Sequence, residues 1–292
     1  MKNTSYYILF TLFTCIFCSF DVERIPVIYM IGDSTMADKP LSGGNPERGW
    51  GQMFSGFLTP DIHVDNRALN GRSTRSFRNE GHWELVRKKL RKGDYVFIQF
   101  GHNDQKADTA RHSDAETDYK INLGKYIDET RKVGAIPILF TPIVRRKFNP
   151  DGTLADTHGK YTDAVRAVAK EKQVLLIDLN KMSASLLERY GQEKSTSLFV
   201  WVEPGIYAAL PEGKQDNTHL NVKGARLIAR MVAESIKETI PALAPHIVMY
   251  DYVVAKDGSG DFFTIQEAID AVPDFRKKGR TTIYIREGVY KE

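Results

Sequence analysis

Residues 27–35 read VIYMIGDST, in which an uncharged run of apolar and aromatic residues is followed by glycine and three small polar residues. Such a run is typical of a strand buried on both faces. Similar runs recur at residues 95–100, 136–141 and 174–177. With residues 27–31, these segments predict the strands of one buried sheet, in which polar residues follow the strand ends.

Longer segments with helical periodicity alternate with these strands, at residues 83–91, 119–133, 161–172, 182–190 and 222–239. In the last segment the apolar residues share one helical face: Val222, Ala225, Ile228, Ala229, Val232, Ile236 and Ile240. Alternation of apolar strands with helices predicts a parallel sheet covered on both faces. We therefore expect an α/β fold, a three-layer α/β/α sandwich.

The composition is that of a globular protein. The 292 residues are 42% hydrophobic and 27% charged, which excludes a disordered or fibrous chain. A net charge of +4 is too small to predict binding to nucleic acid or to an anionic membrane. Only two cysteines are present, Cys15 and Cys18, which excludes a disulfide framework and a cysteine-based zinc site.

The first 20 residues are typical of a signal peptide, because Lys2 precedes an almost continuous apolar run over residues 6–17. The run is short for a membrane span, although an anchor or a buried first strand is the alternative. Cleavage near Ser19 or Phe20 would leave no stable membrane span, whereas lipidation of Cys18 would leave an anchor. Each of these export routes predicts a periplasmic or extracellular protein.

The sequence changes character near residue 245. Pro241 and Pro245 end the last helical segment, and residues 252–255, 266–271 and 282–286 predict a strand, a short helix and a strand. About 40 residues bury too little surface to fold alone. We expect residues 21–245 to form the main domain and residues 246–292 to begin a second, incomplete one.

Four polar clusters lie at predicted strand ends or helix starts, where ligands gather in open α/β sheets. Ser34 follows the first strand, where it is either an exposed nucleophile at a helix start or an ordinary cap. Gly71 lies in an Asn-Gly turn that lets a backbone N–H approach a reacting oxygen, and Asn103 carries an amide suited to an oxyanion hole. Turn and loop formation is the alternative for both.

The fourth cluster precedes the last predicted helix. Asp216 and His219 are three residues apart around a predicted turn, so the carboxylate can orient the imidazole. His219 would then deprotonate Ser34. Helix capping is the alternative for this stretch too.

Other conspicuous residues have simpler interpretations. Trp50 and Trp83 are expected in the core rather than against sugar rings. Residues 145–147, Arg-Arg-Lys, read as a charged surface loop. His112 and His158 have no partner at metal-ligand spacing, so we expect no metal site.

The four clusters resemble the consensus blocks of the SGNH hydrolase, or GDSL-type esterase, superfamily. Ser34, Gly71, Asn103 and His219 match the four residues for which it is named, and Asp216 matches its acid. The first block reads GDST here instead of GDSL. The flanking stretches GRSTRSF (71–77), GDYVFIQFGHNDQ (93–105) and DNTHLN (216–221) resemble rhamnogalacturonan acetylesterases, and the likeness covers residues 25–243.

The tail resembles the opening of pectin methylesterases. The stretches are YVVAKDGSGDF (252–262), TIQEAI (264–269) and IYIREGVY (283–290). That family folds as a parallel β-helix with its catalytic aspartates further along, so the tail is expected to contain the start of a β-helix and no methylesterase site.

The resemblances imply a flavodoxin-like sandwich that removes acetyl groups from pectic polysaccharide, most consistently rhamnogalacturonan. They imply Ser34 as nucleophile, His219 as base and Asp216 as its orienting acid. The oxyanion hole comprises Ser34, Gly71 and Asn103, and neither cofactor nor metal is implied. Substrate contacts are expected from Arg72, Arg75 and His102, and the protein is expected to be a monomer. The alternatives are an esterase for acetylated xylan or small esters, and a non-catalytic carbohydrate-binding module.

Overall fold

The protein, described by a computed structural model over residues 24–273 and 279–291, is built on a parallel five-stranded sheet. The strand order is β2-β1-β3-β4-β5. The strands are β1 (Val27–Gly32), β2 (His63–Asn66), β3 (Tyr95–Gln99), β4 (Ile136–Phe140) and β5 (Leu175–Ile177). The predicted signal peptide and Cys18 lie outside the described residues.

Helices cover both faces of this sheet. They are α1 (Trp50–Phe54), α2 (Thr74–Asn79), α3 (His82–Arg87), α4 (Asp118–Lys132), α5 (Lys160–Lys172), α6 (Leu179–Lys194) and α7 (Val222–Thr239). Successive residues of β1 point to opposite cores: Ile28 and Met30 pack with α1, α6 and α7, and Tyr29 and Ile31 with α2 to α5. The predicted three-layer sandwich is confirmed.

The apolar face predicted for the last helix is confirmed. Ala225, Ile228, Val232 and Ile236 are buried in the core. Asn221 caps α7, since its side-chain oxygen accepts a hydrogen bond from the Gly224 N–H at 3.0 Å.

Two short helices and a hairpin were not expected from the sequence. The short helices α1 and α2 contain too few residues to show periodicity. The hairpin is antiparallel and consists of β6 (Phe199–Val202) and β7 (Lys214–Leu220). Since β7 reads KQDNTHL, with no apolar alternation, the sequence predicted a polar turn where this strand lies.

The tail packs against the main domain. Its strands β8 (Tyr252–Val254) and β9 (Ile283–Ile285) pair in parallel, and α8 (Ile265–Asp270) lies between them in sequence. The Arg226 guanidinium on α7 pairs with Asp261 at 2.8 Å and donates to the carbonyls of Tyr250 and Asp251. That the tail is the start of a β-helix remains a prediction.

None of the helices within residues 24–273 and 279–291 combines the length and apolar character needed to cross a bilayer.

Candidate active site

Ser34 lies in a tight turn directly after β1. The Asp33 carbonyl accepts hydrogen bonds from the N–H groups of Met36 and Ala37, which closes the turn. Gly32 is required before it, because a Cβ there would lie 2.6 Å from the Gln99 carbonyl oxygen on β3. The expectation that a helix starts at Ser34 is wrong, since the next α-helix begins at Trp50 and only a short 3₁₀ turn at Ser42–Gly44 precedes it.

The three predicted catalytic side chains are joined by hydrogen bonds. His219 Nε2 lies 2.9 Å from Ser34 Oγ, and His219 Nδ1 lies 2.8 Å from Asp216 Oδ2. With Nδ1–H donating to the carboxylate, Nε2 is the nitrogen that can accept the Ser34 proton. The arrangement is suited to nucleophilic attack by the serine oxygen.

An irregularity in the hairpin places Asp216 and His219 on the same side. Phe199 pairs with Leu220 and Trp201 with Gln215, so residues 216–219 lie opposite Val200 alone. In a regular strand, residues three apart point to opposite faces, whereas a bulge redirects them. Asp216 Oδ1 stabilises the bulge by accepting the N–H groups of Thr218 and His219 at 2.7 and 2.9 Å.

The predicted oxyanion donors follow β2 and β3 at the same sheet edge. Gly71 lies in a turn with φ of +76°, a conformation that glycine adopts without strain. Asn103 Nδ2 donates to the Arg72 carbonyl at 3.0 Å, and the Leu69 N–H donates to the Gly32 carbonyl at 3.0 Å. The first bond joins the two predicted donor segments to each other, and the second joins the Gly71 segment to the end of β1, directly before Ser34.

The Asp216 carboxylate is strongly stabilised in its ionised form. Burial acts to raise the pKa of Asp216, but hydrogen bonds from His219 and Lys214 outweigh burial and hold that pKa well below its usual value. A carboxylate that stays charged can stabilise the imidazolium formed when His219 takes a proton.

A row of alternating charges leads away from Asp216, and sequence reasoning missed it. Lys214 Nζ lies 2.9 Å from Asp216 Oδ2 and 3.6 Å from Glu47 Oε2. Lys39 Nζ lies 2.8 Å from Glu47 Oε1 and 2.6 Å from Asn70 Oδ1. We call Lys39, Glu47, Lys214 and Asp216 the charge row. Lys214 precedes Asp216 by two residues, a strand spacing that hinted at a shared face, but no local signal indicated Glu47 or Lys39.

Arg146 packs behind the hairpin. The prediction that it lies in a charged surface loop is therefore wrong. Its side chain is buried and donates to Asn217 Oδ1 at 2.9 Å and to Ser195 Oγ at 3.0 Å. Its N–H also donates to the Asn217 carbonyl at 2.7 Å. Arg146 therefore fixes the residue that follows Asp216.

Of the three predicted substrate-binding residues, two are arginines held in ion pairs and the third is a buried histidine. Arg72 pairs with Glu80 at 2.7 Å and Arg75 with Asp118 at 2.6 Å, with both arginine side chains about one-third exposed. His102 is only 3% exposed, and its ring packs 4.5 Å from that of His158. The structure thus does not bring the His102 side chain to the surface of the site.

His102 instead belongs to a buried polar group behind Ser34. Its Nδ1 lies 3.3 Å from Asp33 Oδ2. Burial tends to raise the pKa of Asp33, but the charge of His102 and hydrogen bonds lower it to about 2. Burial, with His102 and Arg145 nearby, lowers the pKa of His158 to about 2.

The tryptophans pack in the core, as predicted. Trp50 is fully buried, and its Nε1 donates to Gln99 Oε1 at 2.7 Å. Trp83 is 3% exposed, and its indole N–H donates to Glu129. Among the described residues, no group of three His, Cys, Asp or Glu side chains is arranged to hold a metal ion.

A known family matches most of the chain. The model of the GDSL-like lipase/acylhydrolase family matches residues 30–227. The chain belongs to this family. It is a carboxylic ester hydrolase, and the resemblance identified from the sequence is confirmed.

Curated relatives place the chain near named acetylesterases within the GDSL-like family. It is 40% identical over 221 residues to the rhamnogalacturonan acetylesterase RhgT of Bacillus subtilis, covering 76% of this chain and 94% of that protein. It is 25% identical over 224 residues to the rhamnogalacturonan acetylesterase of Emericella nidulans, covering 69% of this chain and 81% of the relative.

A solved structure supports the GDSL-like fold. The crystal structure of the protein YxiM from Bacillus subtilis aligns with a TM-score of 0.63 at 30% identity. The alignment covers 73% of this chain and 56% of that one.

The tail matches a second family. The pectinesterase model matches residues 251–292, which confirms the resemblance of the tail. Pectinesterase 4 of Arabidopsis thaliana is 53% identical over 45 residues, covering 15% of this chain and 8% of the relative. The tail therefore corresponds to a small part of the pectinesterases that it matches.

Proposed function

We propose that this GDSL-like hydrolase is an exported serine esterase that removes acetyl groups from pectic polysaccharide, and from rhamnogalacturonan in particular. The observation that carries the chemistry is the hydrogen-bonded series Ser34–His219–Asp216. The substrate rests on the 40% identity to a rhamnogalacturonan acetylesterase. A tail matching pectinesterases also favours a pectic substrate.

The mechanism is a two-step acyl transfer. Ser34 Oγ attacks the acetyl carbonyl carbon while His219 Nε2 takes its proton, and Asp216 stabilises the resulting imidazolium. The N–H groups of Ser34 and Gly71 and the Asn103 amide stabilise the oxyanion. Protonation of the sugar oxygen by His219 releases the deacetylated sugar.

Water completes the cycle. His219 removes a proton from a water molecule, and the oxygen of that water attacks the acetyl-enzyme. The second tetrahedral intermediate collapses, acetate leaves, and the proton returns to Ser34 Oγ. No organic cofactor and no metal ion is part of this sequence of steps.

The proposal is tested by measuring acetate released from acetylated rhamnogalacturonan and from acetylated xylan. We expect release from rhamnogalacturonan by the wild-type protein and none by Ser34→Ala. Ser197→Ala, the same change at an exposed serine, is expected to retain activity. Substantial acetate release by Ser34→Ala would show that Ser34 is not the nucleophile. Faster release from acetylated xylan than from rhamnogalacturonan would show that rhamnogalacturonan is not the preferred substrate. Binding of polysaccharide without any ester hydrolysis would favour a carbohydrate-binding module instead.

Export and oligomeric state are separate parts of the proposal. We expect the mature protein outside the cytoplasm and monomeric in size-exclusion chromatography. Retention of residues 1–20 on a cytoplasmic product would exclude export.

A further inference from the structure

Asp216 Oδ2 accepts hydrogen bonds from two side chains. His219 Nδ1 lies at 2.8 Å and Lys214 Nζ at 2.9 Å from this oxygen. Burial acts to lower the pKa of Lys214, but Asp216 and Glu47 raise it, so the ammonium stays charged at neutral pH. When His219 becomes an imidazolium, two cations share one carboxylate oxygen, and each repels the other.

Glu47 supplies a second anion on the far side of Lys214. Its Oε2 lies 3.6 Å from Lys214 Nζ, and its other oxygen pairs with Lys39. Burial raises the pKa of Glu47, but the charges of Lys39, His219 and Lys214 lower it below its usual value. Glu47 is therefore ionised in the pH range where His219 acts.

The backbone holds Glu47 beside the hairpin. The Arg48 N–H donates to the Leu220 carbonyl at 2.9 Å, and Glu47 forms an antiparallel bridge with Asn221. The Lys39 side chain is 2% exposed and that of Glu47 is 17% exposed, so this ion pair is largely shielded from water. The charge row is thus part of the folded framework rather than a set of mobile surface charges.

Resting on the proposed function, we propose that Lys214 and Glu47 act as a pair of positioning residues that set the charge felt by Asp216 and His219. Lys214 fixes the orientation of the carboxylate, and Glu47 offsets the repulsion between Lys214 and the imidazolium. Lys39 in turn offsets Glu47 and holds the Asn70–Gly71 turn through Asn70 Oδ1. The row therefore joins the two ends of the catalytic site by alternating charges.

The ionisable side chains near His219 come from several segments of the chain. The titratable or charged groups that face this region are Lys214 and Asp216 on β7, Lys39 and Glu47 before α1, Arg146 behind Asn217, and the Asp33–His102 pair behind Ser34. Of these, Lys214 and Glu47 have opposite charges and lie next to the Asp216–His219 pair. Removing the charge of Lys214 or of Glu47 should therefore shift the midpoint of the pH–activity profile in opposite directions.

The test is the pH profile of kcat/KM on a chromogenic aryl acetate, measured with the full chain. Lys214→Met removes a cation near His219, so the midpoint of the acidic limb should rise by about one pH unit. Glu47→Gln leaves Lys214 unbalanced, so the midpoint should fall by a similar amount. The double variant should return close to the wild-type midpoint, and Lys214→Arg should retain it.

Lys172→Met is the matched control. Lys172 Nζ lies 2.8 Å from Asp128, and its side chain is 33% exposed, compared with 35% for Lys214. We expect no shift in the midpoint for this variant. A role of Lys214 in folding alone would lower activity without moving the midpoint.

Midpoints that stay within about 0.2 pH unit of wild type, or that move in the same direction in both single variants, would overturn the inference. Glu47→Gln keeps the test decisive if Lys214→Met does not fold, because Glu47 lies on a different segment. Ser34→Ala separates this outcome from failure of the proposed function. If Ser34→Ala remains active, the mechanism is wrong; if it is inactive while the midpoints stay fixed, only the positioning role is wrong.

Discussion

One buried carboxyl group, Asp104, should make a contribution to stability that is lost as the pH rises. This residue follows Asn103 and is fully buried. Its Oδ1 accepts the Thr74 N–H at 3.0 Å and the Thr74 hydroxyl, which anchors the start of α2. Burial raises the pKa of Asp104 from 3.8 to about 7, although the bonds from Thr74 act in the opposite direction.

The sign of the effect follows from proton binding. A carboxyl group with a higher pKa in the folded state binds its proton more tightly there than in the unfolded chain. The stability that Asp104 contributes to the folded state is therefore lost as the pH rises from about 4 to about 7. With these two pKa values, the loss between pH 5 and pH 8 is about 2–3 kcal/mol.

Asp104→Asn should remove this dependence. The Asn side-chain oxygen can still accept from Thr74, but it carries no ionisable group. Chemical denaturation at pH 5 and pH 8 gives the free energy of unfolding for both proteins. The free energy of unfolding at pH 5 minus that at pH 8 should be about 2–3 kcal/mol smaller in the variant than in wild type. The contributions of other groups, such as His158, are the same in both proteins and cancel.

Asp163→Asn is the control, the same substitution at a side chain that is 76% exposed. A variant–wild-type difference in unfolding free energy that is the same at pH 5 and pH 8 would refute the reasoning. The fixed cost of burying an amide does not affect this test, because it is present at both pH values.

Two further predictions concern the oxyanion hole and the tail. Asn103→Ala should lower kcat about 10²–10³-fold on an aryl acetate, because one oxyanion donor is lost; a loss below about fivefold with an unchanged melting temperature would contradict that role. Arg226→Met should cost about 2–4 kcal/mol of unfolding free energy and expose the tail to proteolysis, because it leaves the mostly buried Asp261 unpaired. Arg230→Met breaks an exposed pair with Glu234 on the same helix and should cost at most about 1 kcal/mol. Equal effects of the two arginine variants would show that the Asp261 contact does not hold the tail.

Much of the fold was predictable because its signals are local. The apolar runs at β1, β3, β4 and β5 need burial on both faces, and the periodic face of α7 needs a core to pack against. Once strands and helices alternate, a parallel sheet follows, and its carboxyl edge collects Ser34, Gly71 and Asn103. Ser34, Gly71 and Asn103 were therefore found from polar clusters that follow strands, and Asp216 and His219 from the cluster that precedes the last helix.

The hairpin that positions Asp216 and His219 was not predictable in the same way. Strand β7 is polar because it lies at the site rather than in the core, so it has no alternating pattern. Its bulge is defined by pairing with β6, which depends on contacts between residues distant in sequence. The predicted turn and the observed bulge both bring Asp216 to His219, but only the structure shows how.

The sequence by itself determined the sandwich, the family and the candidate catalytic residues, because strands, helices and polar strand ends depend on the residue types within short segments. Only the tertiary structure decided which charges surround those residues. It paired Lys214 with Glu47 across 167 positions, buried Arg146 behind Asn217, and turned His102 away from the surface. Charge interactions depend on distance and burial, and both are set by the packing of the whole chain.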